Sequence, residues 1–569
     1  MDNHQQPAES GASSAADTAF SLSRRGFIKM TIAGTAATMG AFGAAAIHPS
    51  KASAHPSTSI LSMEDIPSRS IEEATIDDLM KGMADGKWNA RSIAEAYLTR
   101  IEAMDRRGPN LASVIETNPD ALGIADRLDG ERQKGKFRGP LHGIPVLVKD
   151  NIATHDKMQT TAGSLALDGS QPPEDSWVAA KLREAGAVLL GKANLSEWAF
   201  FRGDYGICGW SARGGQCRNP YATDRTTSGS SSGSAVATSA NLTAISIGTE
   251  TNGSIVSPSS VNGVVGLKPT VGLVSRYGII PIAHTQDTAG PITRSVHDAA
   301  IVLGALTGVD KNDPATADSK GKSYTNYIQY LDPDGLHGAR IGVAREFFDM
   351  RPGVSGLAED AVKLMQSLGA EIVDPIELPW MDEAEKHSLE VMYYEYKHDL
   401  NAYLNWLGKN TKVHSMAEVI EFNKQHADVE MKFFGQEDLE KAQERGPLTD
   451  EKYLNALSEL KRLARDEGLH KVMDEQKLDA IVAPTAGLAW VIDPINGDHF
   501  TGGSSSPAAI AGCPDISVPM GHVFGLPTGL SFFGRAWSEP TLIRLAYAYE
   551  QASKMRRPPQ FLQTANLGN

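Results

Sequence analysis

The chain has 569 residues, 41% of them hydrophobic, and a formal net charge of −15. This length and apolar content support a large folded core. The acidic balance argues against nucleic acid as a partner, because phosphate binding needs clustered Lys and Arg.

Residues 1–54 have the features of an export signal in the required order. The pair Arg24-Arg25 precedes an Ala- and Gly-rich apolar run over 30–47, and Ala52-Ser53-Ala54 supplies a small-residue cleavage site. The paired arginines resemble a twin-arginine signal, and the run is too weakly apolar for a stable membrane span. We therefore predict a signal peptide over 1–54, a linker over 55–70, and an exported mature protein, periplasmic or secreted, without stable membrane insertion.

Helical and strand patterns alternate in the rest of the chain. Residues 76–104 predict two amphipathic helices that break near Gly86, with Thr75 as N-cap. Short apolar runs bounded by glycine or a charge predict buried strands, and a helix is expected over 193–200. The predicted strands are 141–149, 187–191, 242–248, 264–267, 341–344 and 480–483. This alternation indicates an α/β fold.

Residues 380–475 differ from their surroundings because they are charged, helical in pattern and poor in strand signals. We predict that they form a helical insertion over the core of one domain that spans residues 71–560, followed by a tail at 561–569. Such an insertion is either a cap that shapes substrate access or an inert surface excursion, and the cap interpretation is favoured.

The three cysteines are Cys208, Cys217 and Cys513, and the sequence has no Cys-x-x-Cys pair. This pattern argues against a zinc or redox site. Since no His/Cys/Asp cluster has ligand spacing, we expect no metal and no cofactor. Cys208 and Cys217 can pair in an oxidising compartment, or all three can be free, buried thiols, and the sequence leaves both alternatives open.

Two tight turns rich in glycine and serine lie within residues 227–258. The first turn, Gly229–Gly233, precedes a predicted helix, and the second, Gly248–Ser254, precedes Ile255. Glycine permits close backbone approach in such turns. A serine there can lie beside free backbone N–H groups, which stabilise the oxyanion that forms when the serine attacks a carbonyl.

A serine hydroxyl needs a base before it becomes a useful nucleophile. No histidine lies in the two turns, but Lys149 ends a predicted buried strand. Burial disfavours the charged form of a lysine, lowers its pKa and allows it to accept a proton near neutral pH. Taken alone, glycine-serine turns are more often linkers and a strand-end lysine is more often a solvated or paired charge.

A competing interpretation is an α/β-hydrolase-type esterase. Gly229–Gly233 satisfies the Gly-x-Ser-x-Gly pattern, which would make Ser231 the nucleophile. That elbow needs a strong strand directly before it, and residues 219–227 are a poor strand. The histidines His284, His297 and His522 also lack a clear strand-end motif.

Taken together, these segments resemble the amidase signature family. The matching segments are Gly143–Asp150, Thr160–Ser164, Ser228–Gly233, Gly248–Ile255, Gly263–Thr270, Thr285–Arg294 and Gly512–Gly521. The resemblance covers roughly residues 71–551. It implies a central mixed β-sheet flanked by helices and an enzyme that hydrolyses carboxylic or peptide C-terminal amides through an acyl-enzyme, releasing ammonia or an amine.

The resemblance also implies the catalytic residues. Ser254 would be the nucleophile, Ser230 the bridging serine in a cis peptide, and Lys149 the base. Ser231 would hydrogen-bond the lysine. Four backbone N–H groups would form the oxyanion hole: those of Thr251, Asn252, Gly253 and Ser254.

Departures from the family pattern indicate a branch. Glu250 replaces the usual Asp and Asn252 the usual Gly, and these variants, with Trp210–Gly215 and Phe434–Glu437, resemble the bacterial peptide amidases. An alternative within the superfamily is the glutaminase subunit of a tRNA-dependent amidotransferase, and the export signal argues against it. The intact Lys149 and serines argue against a non-catalytic binding protein.

Overall fold

A mixed β-sheet runs through residues 71–567, the part of the chain that this computed structural model describes. The strands are β1 (Val114–Thr117), β2 (Pro145–Lys149), β3 (Val188–Ala193), β4 (Trp210–Ser211), β5 (Gly215–Gln216), β6 (Ile245–Glu250), β7 (Val265–Lys268), β8 (Thr288–Thr293), β9 (Arg340–Ala344), β10 (Glu371–Ile376), β11 (Ala480–Pro484), β12 (Asp515–Val523) and β13 (Leu526–Phe533). Eleven strands form the main sheet in the order β1-β3-β2-β6-β8-β7-β12-β13-β11-β9-β10, while β4 and β5 form a separate hairpin. The predicted α/β fold with a central mixed sheet is therefore confirmed.

Helices flank this sheet. They are α1 (Ile76–Ala84), α2 (Ala90–Arg100), α3 (Ala121–Gln133), α4 (Trp177–Glu184), α5 (Ser232–Ser239), α6 (Val256–Val261), α7 (Val296–Leu306), α8 (Pro352–Ser367), α9 (Met381–Leu407), α10 (Met416–Gln425), α11 (Ala427–Glu430), α12 (Glu437–Gln443), α13 (Glu451–Lys461), α14 (His470–Glu475), α15 (Ser506–Ala511) and α16 (Glu539–Ser553). Thr75 caps α1 as predicted, because its hydroxyl accepts the Asp78 N–H at 3.1 Å. No helix within residues 71–567 is both long and apolar enough to cross a membrane.

The sheet places two strand ends side by side. β2 pairs parallel with β6, with Val148 opposite Ile247. Every residue of both strands is buried, and neither strand carries a charge before its last residue, which is Lys149 in β2 and Glu250 in β6. Because parallel strands end at the same edge of a sheet, Lys149 at the end of β2 lies beside the end of β6 and the turn that follows it.

The prediction of a helix over 193–200 is wrong. β3 extends through Ala193, and only residues 197–200 form a short, distorted turn in which Trp198 and Ala199 have φ values of 52° and 55°. Tertiary hydrogen bonds replace helical ones here: Ser196 N donates to Ser230 O at 3.1 Å, and Trp198 N donates to Ala162 O at 3.0 Å.

The segment predicted as a helical insertion contains helices α9 to α14, between Met381 and Glu475. The 27-residue helix α9 is its longest element. Apolar side chains of α9, including Tyr396 and Leu400, pack with Trp198 and Ile282 of the main body. The insertion therefore lies against segments close to the predicted site.

The structure describes part of the predicted C-terminal tail but none of the predicted N-terminal segments. The signal peptide at 1–54 and the linker at 55–70 lie outside the described residues. Part of the predicted tail is described and packs on the body, since Phe561 N donates to Pro220 O at 2.9 Å and Thr223 N to Leu562 O at 2.9 Å.

Candidate active site

Lys149 is fully buried at the end of β2, and its amine has three close polar atoms from two residues. Its Nζ lies 2.7 Å from Ser230 Oγ, 2.9 Å from Thr249 Oγ1 and 3.1 Å from Thr249 O. Burial lowers the pKa of Lys149 from 10.5 to about 7, against the opposing effect of the Glu250 and Asp287 carboxylates. A substantial fraction of the amine is therefore neutral near pH 7, as the sequence predicted for a base.

The first serine turn joins the lysine to the second turn. The Gly229–Ser230 peptide is cis, as the family resemblance implies. While Ser230 Oγ contacts the lysine, the next residue, Ser231, donates its N–H to Ser254 O at 3.1 Å. This backbone bond places the turn of the predicted bridging serine against the turn of the predicted nucleophile.

Ser231 does not have the contact that was expected. Both hydrogen bonds of its hydroxyl go to Thr249, with donation to Thr249 O at 3.0 Å and acceptance from Thr249 N at 3.2 Å. Thr249, which the sequence reasoning missed, instead supplies the additional contacts to Lys149. A fully buried hydroxyl held in this way is also unsuited to act as the nucleophile of an esterase.

Glu250 folds the turn that carries Ser254. Its carboxylate accepts the N–H groups of Gly253 at 2.8 Å, Ile255 at 2.7 Å and Val256 at 3.1 Å. These acceptors satisfy backbone groups at the start of α6 that would otherwise be unpaired. Gly253 has a φ of +83°, which favours glycine. Ser254 follows it and is 8% exposed.

The expected oxyanion hole needs one correction. The Gly253 N–H is already bound to Glu250, so it is not available to a substrate oxygen. Within residues 71–567, the N–H groups of Asn252 and Ser254 have no hydrogen-bond acceptor. Thr251 is held through its side chain, because its Oγ1 donates to Asp287 Oδ1 at 2.6 Å. Thr251, Asn252 and Ser254 therefore remain the candidate donors.

Asp150, the residue directly after β2, faces away from Lys149, because adjacent residues of an extended chain point to opposite sides. Its Oδ2 accepts the Thr161 hydroxyl and the Gly163 N–H, and its other oxygen lies 3.8 Å from Arg213. The carboxylate is thus bound on the other side of the strand.

A cavity of about 300 Å³ lies beside the end of β6. One wall contains Thr249, Glu250 and Thr251, and another comes from residues 276–288. Asp399 and Ala402 of α9 also line it, together with Asn151, Ala199 and residues 312–314, and the cavity reaches the Ser254 turn at Thr251. Because the helical insertion forms part of this wall, the cap interpretation is favoured over an inert excursion.

One group of potential metal ligands was not visible in the sequence. His284, Glu395 and Asp399 have ligand atoms within 4.8 Å of one another. His284 Nδ1 lies 2.8 Å from Asp399 Oδ2, and its Nε2 lies 3.2 Å from Glu395 Oε1. Burial opposes a charge on the ring, but the two carboxylates outweigh it and raise the pKa of His284. These contacts suit an imidazolium between two carboxylates, and the expectation of no metal stays a prediction.

The three cysteines, all within the described residues, are free and buried. The structure therefore favours the free-thiol alternative over a Cys208–Cys217 pair. Burial raises the pKa of the Cys208 thiol well above its usual range, with Asp498 acting in the same direction.

Solved structures share this fold. The native peptide amidase from Stenotrophomonas maltophilia is 50% identical, with a TM-score of 0.83, over 86% of this chain and 99% of that chain. An amidase family protein from Bacillus anthracis is 37% identical, with a TM-score of 0.79, over 86% of this chain and 93% of that chain.

Curated proteins agree with them. A probable amidase of Arabidopsis thaliana is 43% identical over 505 residues, 87% of this chain and 92% of its own length. A glutamyl-tRNA(Gln) amidotransferase subunit from Thermoanaerobacter pseudethanolicus is 34% identical over 504 residues, 85% of this chain and 98% of its own length. The family model named Amidase matches residues 92–543. The chain therefore belongs to the amidase signature family and is a hydrolase that acts on amides.

Proposed function

We propose that the protein is an exported serine amidase that hydrolyses the C-terminal amides of peptides with Ser254, Ser230 and Lys149. The observation that carries the proposal is the 2.7 Å contact between the buried Lys149 Nζ and Ser230 Oγ. The backbone bond from Ser231 N to Ser254 O places both serine turns around that contact.

The hydrogen bonds at Lys149 suit a neutral amine. Such an amine has two N–H donors and one lone pair, and three polar atoms lie close to Lys149 Nζ. The carbonyl of Thr249 only accepts, and the Thr249 hydroxyl can accept as well. If both N–H groups point to Thr249, the lone pair faces the Ser230 hydroxyl, which is the direction in which a proton has to travel.

In the proposed reaction, Ser254 Oγ bonds to the amide carbon while its proton passes to Ser230 Oγ and the proton of Ser230 passes to Lys149 Nζ. The backbone N–H groups beside Ser254 stabilise the tetrahedral oxyanion. The C–N bond then breaks, the relay returns the proton to the leaving nitrogen, and ammonia departs. Water attacks the resulting acyl-enzyme ester through the same relay and releases the carboxylic acid and free Ser254.

Two features support a peptide substrate. The first is the 50% identity to a solved peptide amidase over most of both chains. The second is that the two segments that resemble this branch lie together, with the rings of Trp210 and Phe434 5.2 Å apart and the Arg202 guanidinium 4.9 Å from the Phe434 ring. The features that resemble the branch therefore come from one structural unit.

Ammonia release from a panel of amides tests the proposal. The panel contains peptide C-terminal amides, an aryl amide, free glutamine and a carboxylic ester. We expect ammonia from the peptide amides and its loss in Ser254→Ala, while Ser367→Ala, a matched change at an exposed serine of α8, keeps the rate. Release from glutamine alone contradicts the substrate class. Activity of Ser254→Ala within about tenfold of wild type, or ~1.4 kcal/mol, contradicts the nucleophile.

A further inference from the structure

One buried carboxylate beside the nucleophile turn has no part in the proton relay. Asp287 lies directly before β8, the antiparallel neighbour of β6. Its Oδ1 accepts the Thr251 hydroxyl at 2.6 Å, and its Oδ2 accepts the N–H groups of Ile282 at 2.8 Å and Ala283 at 3.0 Å. The carboxylate therefore connects its own loop to the first residue after β6.

Thr251 is restrained on two sides by this loop. Besides the bond to Asp287, its carbonyl accepts Gln286 Nε2 at 3.4 Å. Thr251 O belongs to the same peptide unit as the Asn252 N–H, which has no acceptor within residues 71–567. Asp287 and Gln286 thus restrict the direction in which this N–H points.

Residues 282–287, here called the strap, are in turn bound to helix α9. Glu395 Oε2 accepts the Thr285 N–H at 3.0 Å and the Thr285 hydroxyl at 2.9 Å. The Ser388 hydroxyl donates to Gln286 Oε1 at 2.6 Å, and Asp399 accepts the His284 N–H at 3.1 Å. The helical insertion is therefore hydrogen-bonded to the strap, and the strap is hydrogen-bonded to Thr251.

We propose that Asp287 is a positioning residue that orients the backbone N–H groups of Thr251 and Asn252 toward the substrate oxyanion. The inference rests on the proposed function of the site. Donors aimed at the position of the oxyanion stabilise the tetrahedral state more than the bound substrate. Loss of the Asp287 carboxylate should therefore lower kcat and leave substrate binding nearly unchanged.

The test compares a peptide aldehyde with the corresponding peptide alcohol as inhibitors of wild type and Asp287→Asn. The aldehyde carbon bonds to a serine Oγ and creates an oxygen that occupies the oxyanion position, whereas the alcohol binds without that bond. Since Asp287 also raises the pKa of Lys149, both proteins are measured at pH 9, where the lysine is neutral. In Asp287→Asn we expect the ratio of the alcohol Ki to the aldehyde Ki to fall by about tenfold or more, and kcat to fall with it. The alcohol Ki and the KM should each change by less than about threefold.

Asp105→Asn is a matched control. Asp105 is also buried and also accepts one hydroxyl and two N–H groups, from Ser113 and Val114, but it contacts no residue of the Ser254 turn. It should keep the aldehyde preference. A second pair checks the link without altering Asp287: Thr251→Val removes the donating hydroxyl and should lose more of the preference than Thr251→Ser, which retains it.

The outcomes are distinguishable. If wild type hydrolyses amides and prefers the aldehyde, but Asp287→Asn keeps the preference within about threefold, the inference is overturned and the proposed function stands. An equal loss in Asp105→Asn also overturns it, because the effect then follows from any buried carboxylate. If Asp287→Asn does not fold, the Thr251 pair decides. A wild type with neither activity nor aldehyde preference overturns both proposals.

Discussion

Replacing Lys149 with methionine keeps most of the side-chain volume and removes the amine, so it should affect activity and stability in opposite directions. Activity should fall by about 10²–10⁴-fold or more, because the serine relay loses its proton acceptor. Stability should improve at low pH relative to wild type, because the folded protein no longer has to hold an ammonium group in a fully buried site.

The sign follows from the two pKa values of the lysine. The folded value is about 7 and the ordinary value is 10.5, so between these pH values the unfolded chain binds more protons than the folded chain. The contribution of Lys149 to stability is therefore least favourable below pH 7 and improves as the pH rises toward 10.5. Between pH 7 and pH 9, the linkage relation gives a gain of about 2 kcal/mol for wild type over Lys149→Met.

Denaturant unfolding of both proteins at pH 7 and pH 9 measures this gain. The lost hydrogen bonds to Ser230 and Thr249 are the same at both pH values, so they cancel in the difference. Lys192→Met is the matched control for activity, since Lys192 is also fully buried, on the neighbouring strand β3, but bonds Ile152 O and Thr160 Oγ1. Lys192→Met should keep the fall in rate below about pH 7 that protonation of Lys149 causes. A stability difference between wild type and Lys149→Met that does not change with pH would refute a neutral lysine base.

Three further predictions follow from the site and the N-terminus. Glu250→Gln should lower kcat by about tenfold or more, because an acceptor of the N–H groups in the Ser254 turn is lost. The fall in its rate at acidic pH should also move to lower pH, because a carboxylate that raises the pKa of Lys149 is gone. A rate profile across pH checks both effects. Dialysis against a chelator should leave the rate unchanged, whereas a loss that one metal restores would assign an ion to the group around His284. Changing Arg24 and Arg25 to Lys should block export, and N-terminal sequencing of the exported protein should begin after residue 54; active cytoplasmic protein with an intact N-terminus would contradict the signal.

The strands of the site could be predicted because burial on both faces leaves a simple mark in the sequence. Neither β2 nor β6 carries a charge before its last residue, so Lys149 and Glu250 at the two strand ends stand out. The segment 193–200 could not be predicted in this way, since its conformation depends on hydrogen bonds to residues distant in the sequence.

The roles of single polar groups in the site were harder to predict than its location. The family resemblance assigned the Gly253 N–H to the oxyanion hole, but the longer Glu250 side chain reaches back and binds it. It also gave Ser231 a contact with the lysine that Thr249 makes instead. The group of His284, Glu395 and Asp399 joins a histidine to two carboxylates of α9 that are more than 100 positions away, and no local pattern marks such a contact.

The packing of residues 561–567 bears on how the protein can be altered at its C-terminal end. Besides the two backbone bonds to the 220–223 region, the Thr564 hydroxyl donates to Asp224 Oδ2 at 2.7 Å, and Ala565 packs with Tyr221 and Ala222. That region leads within a few residues into the turn of Ser230. A chain shortened to residue 560 should therefore lose support under a catalytic loop, and an affinity tag or fusion partner should be added beyond residue 567 with a spacer that leaves these contacts intact.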